Sequence, residues 1–109
     1  MSNRRVAIVA GCRTPFARSG TFYRDLTAVD LATVAVRELI ERTELDPRTV
    51  DLVVMGQVVP SVRATNLARE VTLRTTLPRS VPAHTVNRAC ASANEAITAR
   101  ASEILLGHA

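Results

Sequence analysis

One cysteine in the chain is placed where a thiol could act as a nucleophile. Residues 86–97 read VNRACASANEAI and place Cys90 among small alanines just before a predicted helix. Ser92 and Glu95 match the S-x-x-E capping box, so we predict Ser92 as the N-cap, two residues after the thiol. The free N–H groups of that helix would favour a thiolate and hold an oxyanion that develops on a carbonyl. The alternative is a buried cysteine that only fills space, and spacing alone favours this alternative.

Few other side chains are positioned to assist this thiol. His84 precedes Cys90 by six residues on a predicted strand, about 20 Å of extended chain, so a direct contact would need a sharp fold-back. His108 stands at the end of the last predicted helix, where a solvated ring or a partner of the helix dipole is expected. Cys12 follows a predicted strand and is expected to be buried filler. Asn94 is equally consistent with a hydrogen bond near the turn and with a helix surface.

Three alternating pairs of strand and helix are predicted to position the cysteine. The strands are expected at 5–10, 50–59 and 81–87, and the helices from Thr27 to about Thr43, from Asn66 to about Thr75, and from Ser92 to a C′ glycine at Gly107. Thr27 with Asp30 resembles a capping box, and Gly56 marks a bend or a close approach in the second strand. Apolar strands that alternate with amphipathic helices predict an α/β fold on a parallel sheet, in the order βαβαβα.

The composition is typical of one globular domain in a reducing compartment. Of the 109 residues, 47% are apolar and 22% are charged, which excludes a disordered tail. Only 3% are aromatic, and all 14 basic residues are scattered arginines, so we expect no nucleic-acid partner despite the net charge of +4. Two cysteines without a C-x-x-C pair indicate free thiols. The apolar run after MSNRR is too short for a signal or membrane segment, so we expect a cytoplasmic protein without a membrane span.

The segment around Cys90 resembles the nucleophile segment of the thiolases, in which a strand delivers a cysteine to the start of a buried helix. Other stretches resemble the same family in the same order: VAIVAGCRTPF its opening strand and R-T-P-F turn, VVMGQVV with NLARE its second strand and helix, and PAHTVNRAC the approach to the cysteine. The usual pattern has Gly where this chain has Ala93. The C-x-S-A-N form is similar to the branch that includes the β-subunits of the fatty-acid oxidation complex.

This resemblance implies an acyltransferase that exchanges acyl groups between coenzyme A thioesters and makes or breaks a carbon–carbon bond. Cys90 would carry the acyl group, and its own backbone N–H would form part of an oxyanion hole. The chemistry needs no metal and no permanently bound cofactor, because coenzyme A thioesters are the substrates. The resemblance also implies that the full-length protein forms a homo-oligomer or is a subunit of a β-oxidation complex. Arg63, Arg69 and Arg88 are then expected at a subunit contact or at CoA phosphates.

The same comparison predicts that residues 1–109 are the first part of a thiolase N-terminal domain. A thiolase also uses two histidines and a second cysteine, in segments of the N-E-x-x-A, G-H-P and C-x-G-G type, and none of these segments occurs in the sequence. A cysteine nucleophile normally needs a base within hydrogen-bond reach. We therefore expect the isolated 109 residues to be inactive and the activity to need a longer chain.

Three other interpretations stay open at this point. A structural piece that pairs with another polypeptide would expose apolar strands and associate when expressed alone. An arginine-rich RNA-binding module would need arginines clustered on one face, and its binding would depend steeply on salt. A condensing enzyme of the same fold, such as a ketoacyl synthase, would differ in later histidine motifs, although the R-T-P-F and N-R-A-C-A-S-A-N stretches resemble thiolases more.

Overall fold

The computed structural model describes residues 3–108, which form three α-helices, one 3₁₀ helix and two strands. In chain order these are α1 (Ala28–Thr43), the 3₁₀ helix Pro47–Thr49, β1 (Val53–Gly56), α2 (Leu67–Leu73), β2 (Ala83–Val86) and α3 (Ser92–Leu105). Met1, Ser2 and Ala109 belong to the predicted span 1–109 but lie outside the described residues. Each predicted helix is confirmed, with α2 ending slightly early. None of the helices in this part of the chain is long and apolar enough to cross a bilayer.

The two strands form a parallel sheet, as the alternation of strands and helices predicts. They pair in register from Val53 opposite Ala83 to Gly56 opposite Val86, and α2 lies in the connection between them. A further backbone hydrogen bond runs from the Gln57 N–H to the Val86 carbonyl at 3.0 Å. Both strands are shorter than predicted, since only Val53–Gly56 and Ala83–Val86 pair. The pairing stops where β2 enters the turn before α3.

The predicted first strand, residues 5–10, is not a strand in the structure. Residues 3–18 have no regular secondary structure, and no described backbone hydrogen bond joins 5–10 to β1. Ile8 is 82% exposed and Val9 is 91% exposed. An apolar run predicts where a strand is favourable, but a strand also needs backbone partners, which this run lacks here. The α/β class is therefore confirmed with two strands, and the prediction of a third strand is wrong.

Helices cover both faces of the sheet. Alternate residues of β1 point to opposite sides, so neighbouring residues contact different helices. Met55 packs against a core formed by Val29 of α1 and by Leu67 and Val71 of α2. Its neighbour Gly56 faces the other side, where it meets the first turn of α3. The sheet is therefore a layer between α3 and the pair of α1 and α2, an arrangement typical of parallel α/β folds.

Polar contacts fix the start of α2 against β2. Asn66 caps α2, since its Oδ1 accepts from the Arg69 N–H at 3.3 Å, and its Nδ2 donates to the Ala83 carbonyl at 3.1 Å. The Thr85 hydroxyl donates to the same Asn66 Oδ1 at 2.8 Å and accepts from the Ala68 N–H at 3.0 Å. These bonds satisfy donors at the start of a short helix and fix the position of β2 just before it ends.

The start of α1 is the capping box predicted from Thr27 and Asp30. The Asp30 N–H donates to Thr27 Oγ1 at 3.1 Å, and the Thr27 N–H donates to Asp30 Oδ2 at 2.9 Å. Two hydrogen bonds lower the pKa of Asp30 below its usual 3.8, first the one from the Thr27 backbone and then the one with the Thr27 side chain. The positive charge of Arg74 lowers this pKa more weakly. The ionised carboxylate is therefore part of what stabilises this helix start.

Replacement of Asp30 by asparagine should remove a pH-dependent part of the free energy of unfolding. Because the folded-state pKa of Asp30 is lowered, the carboxylate contributes stability above its unfolded pKa of 3.8, and this contribution is lost as the pH falls through the folded-state pKa. Asp30→Asn should thus be less stable than the parent at neutral pH, and the difference should vanish in acid. Urea unfolding over a series of pH values measures this, with the exposed Asp25→Asn as the control. A deficit that is equal at every pH would contradict the assignment.

Candidate active site

Cys90 lies in the turn that joins β2 to α3. It is exposed, and it directly precedes the N-cap of α3, one position closer to the helix than predicted. Within residues 3–108, neither its thiol nor its backbone N–H donates a hydrogen bond. The preceding residue, Ala89, has a φ of 46°, in the left-handed region that non-glycine residues rarely adopt. The turn thus presents an accessible thiol and a free N–H just past the carboxyl end of a parallel strand, where α/β folds commonly bind ligands.

The start of α3 differs from the predicted capping box. The N-cap is Ala91, without a side-chain cap hydrogen bond, and Ser92 is the first helical residue. Ser92 is only 4% exposed, and its Oγ accepts from the Arg88 N–H at 2.8 Å and donates to the Ala89 carbonyl at 2.7 Å. The hydroxyl therefore binds the backbone of the preceding turn instead of the N3 amide. Glu95 forms an ion pair with Arg88 at 2.8 Å and does not return to the cap.

Asn87 joins the cysteine turn to the loop that follows β1. Its Oδ1 accepts from the Ala89 N–H at 2.9 Å, and its Nδ2 donates to the Val58 carbonyl at 3.0 Å. The Ser92 hydroxyl lies 3.5 Å from the same Oδ1. Sequence reasoning misses Asn87. The available signal was an asparagine three residues before Cys90, whose side chain can bond the backbone of Ala89, two residues on.

A glycine allows α3 to begin directly on β1. A Cβ built on Gly56 would overlap the Ser92 carbonyl group and would lie 2.7 Å from the Ala93 nitrogen. These are backbone atoms, so movement of a flexible side chain cannot relieve the overlap. The close approach predicted at Gly56 is confirmed, and its partner is the first turn of the helix that follows the cysteine.

The two histidines do not support the thiol in this part of the chain. His84 is exposed on β2, and His108 lies beyond the end of α3, where its Nδ1 is 2.7 Å from Glu103 Oε2. Within residues 3–108, no histidine forms a hydrogen bond with Cys90. Neither histidine is therefore placed to act as a base for Cys90 in this arrangement of residues 3–108.

The second cysteine is placed differently from Cys90. Cys12 is half-buried, and its thiol donates to the Ala35 carbonyl of α1 at 3.3 Å. Cys12 thus packs against α1 but is less buried than expected. Asn94 is exposed on the first turn of α3, in agreement with the helix-surface alternative.

Three arginines were expected near the site or at a subunit contact. Arg69 donates to the Arg79 carbonyl at 2.9 Å and so holds the connection between α2 and β2. Arg88 pairs with Glu95 at the base of the cysteine turn, at 2.8 Å. Arg63 is exposed in the loop before α2. Their expected contacts with another subunit or with CoA phosphates stay predictions.

The sequence of residues 6–109 matches the family model described as thiolase, N-terminal domain. The chain belongs to the thiolase family. Relatives named 3-ketoacyl-CoA thiolase share 45% identity over 97% of this chain in Vibrio cholerae and 46% over 94% in Serratia proteamaculans. These alignments cover 24% of each relative, so this thiolase segment spans about a quarter of their length.

Solved thiolases have the same fold as this segment. Human mitochondrial 3-ketoacyl-CoA thiolase in complex with CoA superimposes with a TM-score of 0.84 and 40% identity, over 89% of this chain and 25% of that one. The acetyl-CoA acetyltransferase of Bacillus anthracis gives a TM-score of 0.78 and 31% identity, over 83% and 23% of the two chains. The thiolase resemblance predicted from the motifs is therefore confirmed in sequence and in fold.

Replacement of Gly56 by alanine should destabilise the thiolase segment by about 1–3 kcal/mol, because the added methyl group must displace the backbone of α3. Gly11→Ala is the matched control, since a Cβ there would meet nothing within 4 Å. The control should change the free energy of unfolding by no more than about 0.5 kcal/mol. Urea unfolding compares the two variants, and equal stabilities would show that α3 does not rest on Gly56.

Cys90 should react with iodoacetamide faster than Cys12 in the folded protein at neutral pH. Cys90 is exposed, whereas Cys12 is half-buried and its thiol donates to Ala35. Peptide mapping of a time course measures both rates in one sample, and the unfolded chain is the control in which the two rates should converge. Equal rates in the folded protein would contradict the placement of Cys90.

Proposed function

We propose that this chain is the nucleophile-bearing part of a thiolase that cleaves a 3-ketoacyl-CoA into acyl-CoA and acetyl-CoA, or runs the reverse condensation. The observation that carries the proposal is the exposed Cys90 thiol in the turn between β2 and α3, in a chain that belongs to the thiolase family over residues 6–109. Because these residues span about a quarter of the relatives' length, the proposal concerns them as part of a longer polypeptide.

The cleavage begins when the Cys90 thiolate attacks the 3-keto carbon of the substrate. The bond between C2 and C3 then breaks, and its electron pair goes to the acetyl-CoA fragment, which takes up a proton at C2 and leaves. The acyl group stays on Cys90 as a thioester. A CoA thiolate attacks the thioester carbonyl, so that acyl-CoA leaves and Cys90 regains its thiolate.

The backbone of the cysteine turn supports this chemistry. The Cys90 N–H donates no hydrogen bond within residues 3–108, so it is available to an oxyanion on the carbonyl under attack. A preorganised N–H donor of this kind stabilises charge that develops in the transition state. The turn therefore supplies the nucleophile and one donor of an oxyanion hole.

Proton transfer in this proposal comes from other parts of the full polypeptide. A cysteine nucleophile needs a base within hydrogen-bond reach. Neither His84 nor His108 forms a hydrogen bond with Cys90. We therefore assign the base, and the acid that protonates the leaving acetyl-CoA, to residues outside 3–108, and we expect the isolated segment to be inactive.

We also assign substrates, a pathway, a cellular compartment and an assembly to the full polypeptide. The relatives are named 3-ketoacyl-CoA thiolase, and one solved neighbour is a complex with CoA. We assign CoA thioesters to this chain as substrates on that basis, without a metal or a permanently bound cofactor. From the motif resemblance we also propose a role in fatty-acid β-oxidation, as a homo-oligomer or as a subunit of a β-oxidation complex, and we propose a cytoplasmic location because the apolar run after MSNRR is too short for a signal segment.

A non-catalytic association role is the second candidate, and one observation favours it. Several large apolar side chains are exposed on the segment: Ile8, Val9, Phe16, Phe22 and Val62. Apolar surface of this kind commonly marks contacts with other chain segments or subunits. An association role alone would leave Cys90 without acyl chemistry, and this difference separates the two candidates.

Acetyl-CoA should transfer one acetyl group to Cys90 of the full polypeptide, which peptide mass spectrometry locates. Cys90→Ala should accept no acetyl group and should slow thiolysis of acetoacetyl-CoA by a factor on the order of 10⁴ or more, because the covalent intermediate cannot form. Cys12→Ala is the control and should keep the parent rate. An acetyl group on another residue, or an active Cys90→Ala variant, would refute the proposal and leave the association role.

A further inference from the structure

We propose that Asn87 and Ser92 are positioning residues that hold Ala89 in its left-handed conformation and thereby direct the Cys90 thiol and N–H toward the acyl carbonyl. This inference rests on the proposed function of Cys90 as the acyl carrier. It assigns a role to two side chains that are not themselves nucleophiles, acids or bases in the reaction.

The backbone conformation at Ala89 needs an explanation. Its φ of 46° is unfavourable for a residue with a Cβ, because the Cβ lies too close to the following carbonyl oxygen. Such a conformation persists only where the surrounding structure holds it, and it is common at active sites. A glycine would adopt it freely. The chain instead keeps an alanine directly before the nucleophile.

Two side chains hold Ala89 from both sides of its Cα. The Asn87 Oδ1 accepts from the Ala89 N–H at 2.9 Å, and the Ser92 hydroxyl donates to the Ala89 carbonyl at 2.7 Å. The Ser92 backbone N–H also donates to this carbonyl, at 3.1 Å. The orientations of this N–H and this carbonyl follow the φ and ψ angles of Ala89. Fixing both groups therefore opposes rotation into the right-handed region.

The two positioning residues are themselves fixed to the sheet. Asn87 donates through Nδ2 to the Val58 carbonyl at 3.0 Å, in the loop that follows β1. Ser92 is 4% exposed, and its backbone lies directly over Gly56. The cysteine turn is thus tied to β1 at Gly56 and to the loop after β1 at Val58.

A change at Ala89 would alter the direction of both groups that Cys90 presents. The peptide between Ala89 and Cys90 carries the Cys90 N–H, so rotation about ψ of Ala89 turns that N–H and moves the thiol with it. An oxyanion donor acts only when it points at the developing charge. Loss of the left-handed turn should therefore slow acylation even where the thiol stays exposed.

The test uses the full polypeptide with Asn87→Ala, Ser92→Ala and the exposed Asn94→Ala as the matched control. We expect the first two variants to slow acetylation of Cys90 by acetyl-CoA by about tenfold to a hundredfold, the range expected for small misplacement of a reacting group. Asn94→Ala should keep the parent rate. Urea unfolding and circular dichroism verify that each variant folds.

Rescue by glycine separates positioning from general destabilisation. Addition of Ala89→Gly to Asn87→Ala or Ser92→Ala should recover most of the acetylation rate, because glycine adopts a φ of 46° without its neighbours' help. A merely structural role would not be rescued in this way, since glycine adds no packing or hydrogen bond. Variants that acetylate at the parent rate, or that are slow without rescue, would overturn the inference.

The alkylation rate of Cys90 provides a second readout that does not depend on acyl transfer. If Cys90 of the parent is alkylated rapidly but takes no acetyl group, the proposed function fails while the positioning inference is still tested. The rate constant for Cys90 alkylation at neutral pH should then differ from the parent in Asn87→Ala and Ser92→Ala and return toward it with Ala89→Gly. An unchanged rate constant in both variants would overturn the positioning role alone.

Discussion

The close contact that glycine allows at position 56 is the constraint on which the arrangement of this site depends. Because glycine has no Cβ, the backbone of Ser92 lies directly on β1, and α3 begins at the carboxyl end of that strand. The turn before α3 is then confined between the end of β2 and the first helical residue. Cys90 is exposed because it lies on the outer side of that short turn. The close packing at Gly56 thus limits where the cysteine turn can lie.

The polar contacts of the sheet end act together with this packing. On one face, the Thr85 hydroxyl of β2 donates to Asn66 Oδ1 at the start of α2, at 2.8 Å. On the other, Ser92 and Asn87 bond the backbone of the cysteine turn. Each of these side chains is short and has few rotamers, so its hydrogen bonds cost little side-chain entropy. Short polar side chains therefore hold both the end of β2 and the cysteine turn.

Local signals in the sequence predict the helices well, because capping residues and apolar stripes act over only a few positions. Thr27 and Asn66 identify the starts of α1 and α2 as the structure has them. The strand at 5–10 is wrongly predicted, since strand pairing depends on a partner that the pattern itself does not contain. The close approach at Gly56 is predictable from a glycine in a strand, but its partner is not.

The candidate site is partly predictable. The exposed position of Cys90 just before a helix follows from the sequence, its role as nucleophile stays a proposal, and the family resemblance follows from the ordered motifs. The role of Ser92 is misassigned, because the S-x-x-E pattern specifies a cap only when no other donor competes with the N3 amide for the hydroxyl oxygen. Here the Arg88 N–H donates to that oxygen at 2.8 Å. That competition depends on three-dimensional packing against β1, which no local pattern records.

The central claim is that the turn held over Gly56 presents Cys90 as an acyl carrier. A crystal structure of the full polypeptide, determined after exposure to acetyl-CoA, tests it most directly. We expect a thioester on Cys90 Sγ, with its carbonyl oxygen within hydrogen-bond distance of the Cys90 N–H and the turn unchanged. An unmodified Cys90 beside an acyl group on a different residue, or a thiol turned into the core, would contradict it.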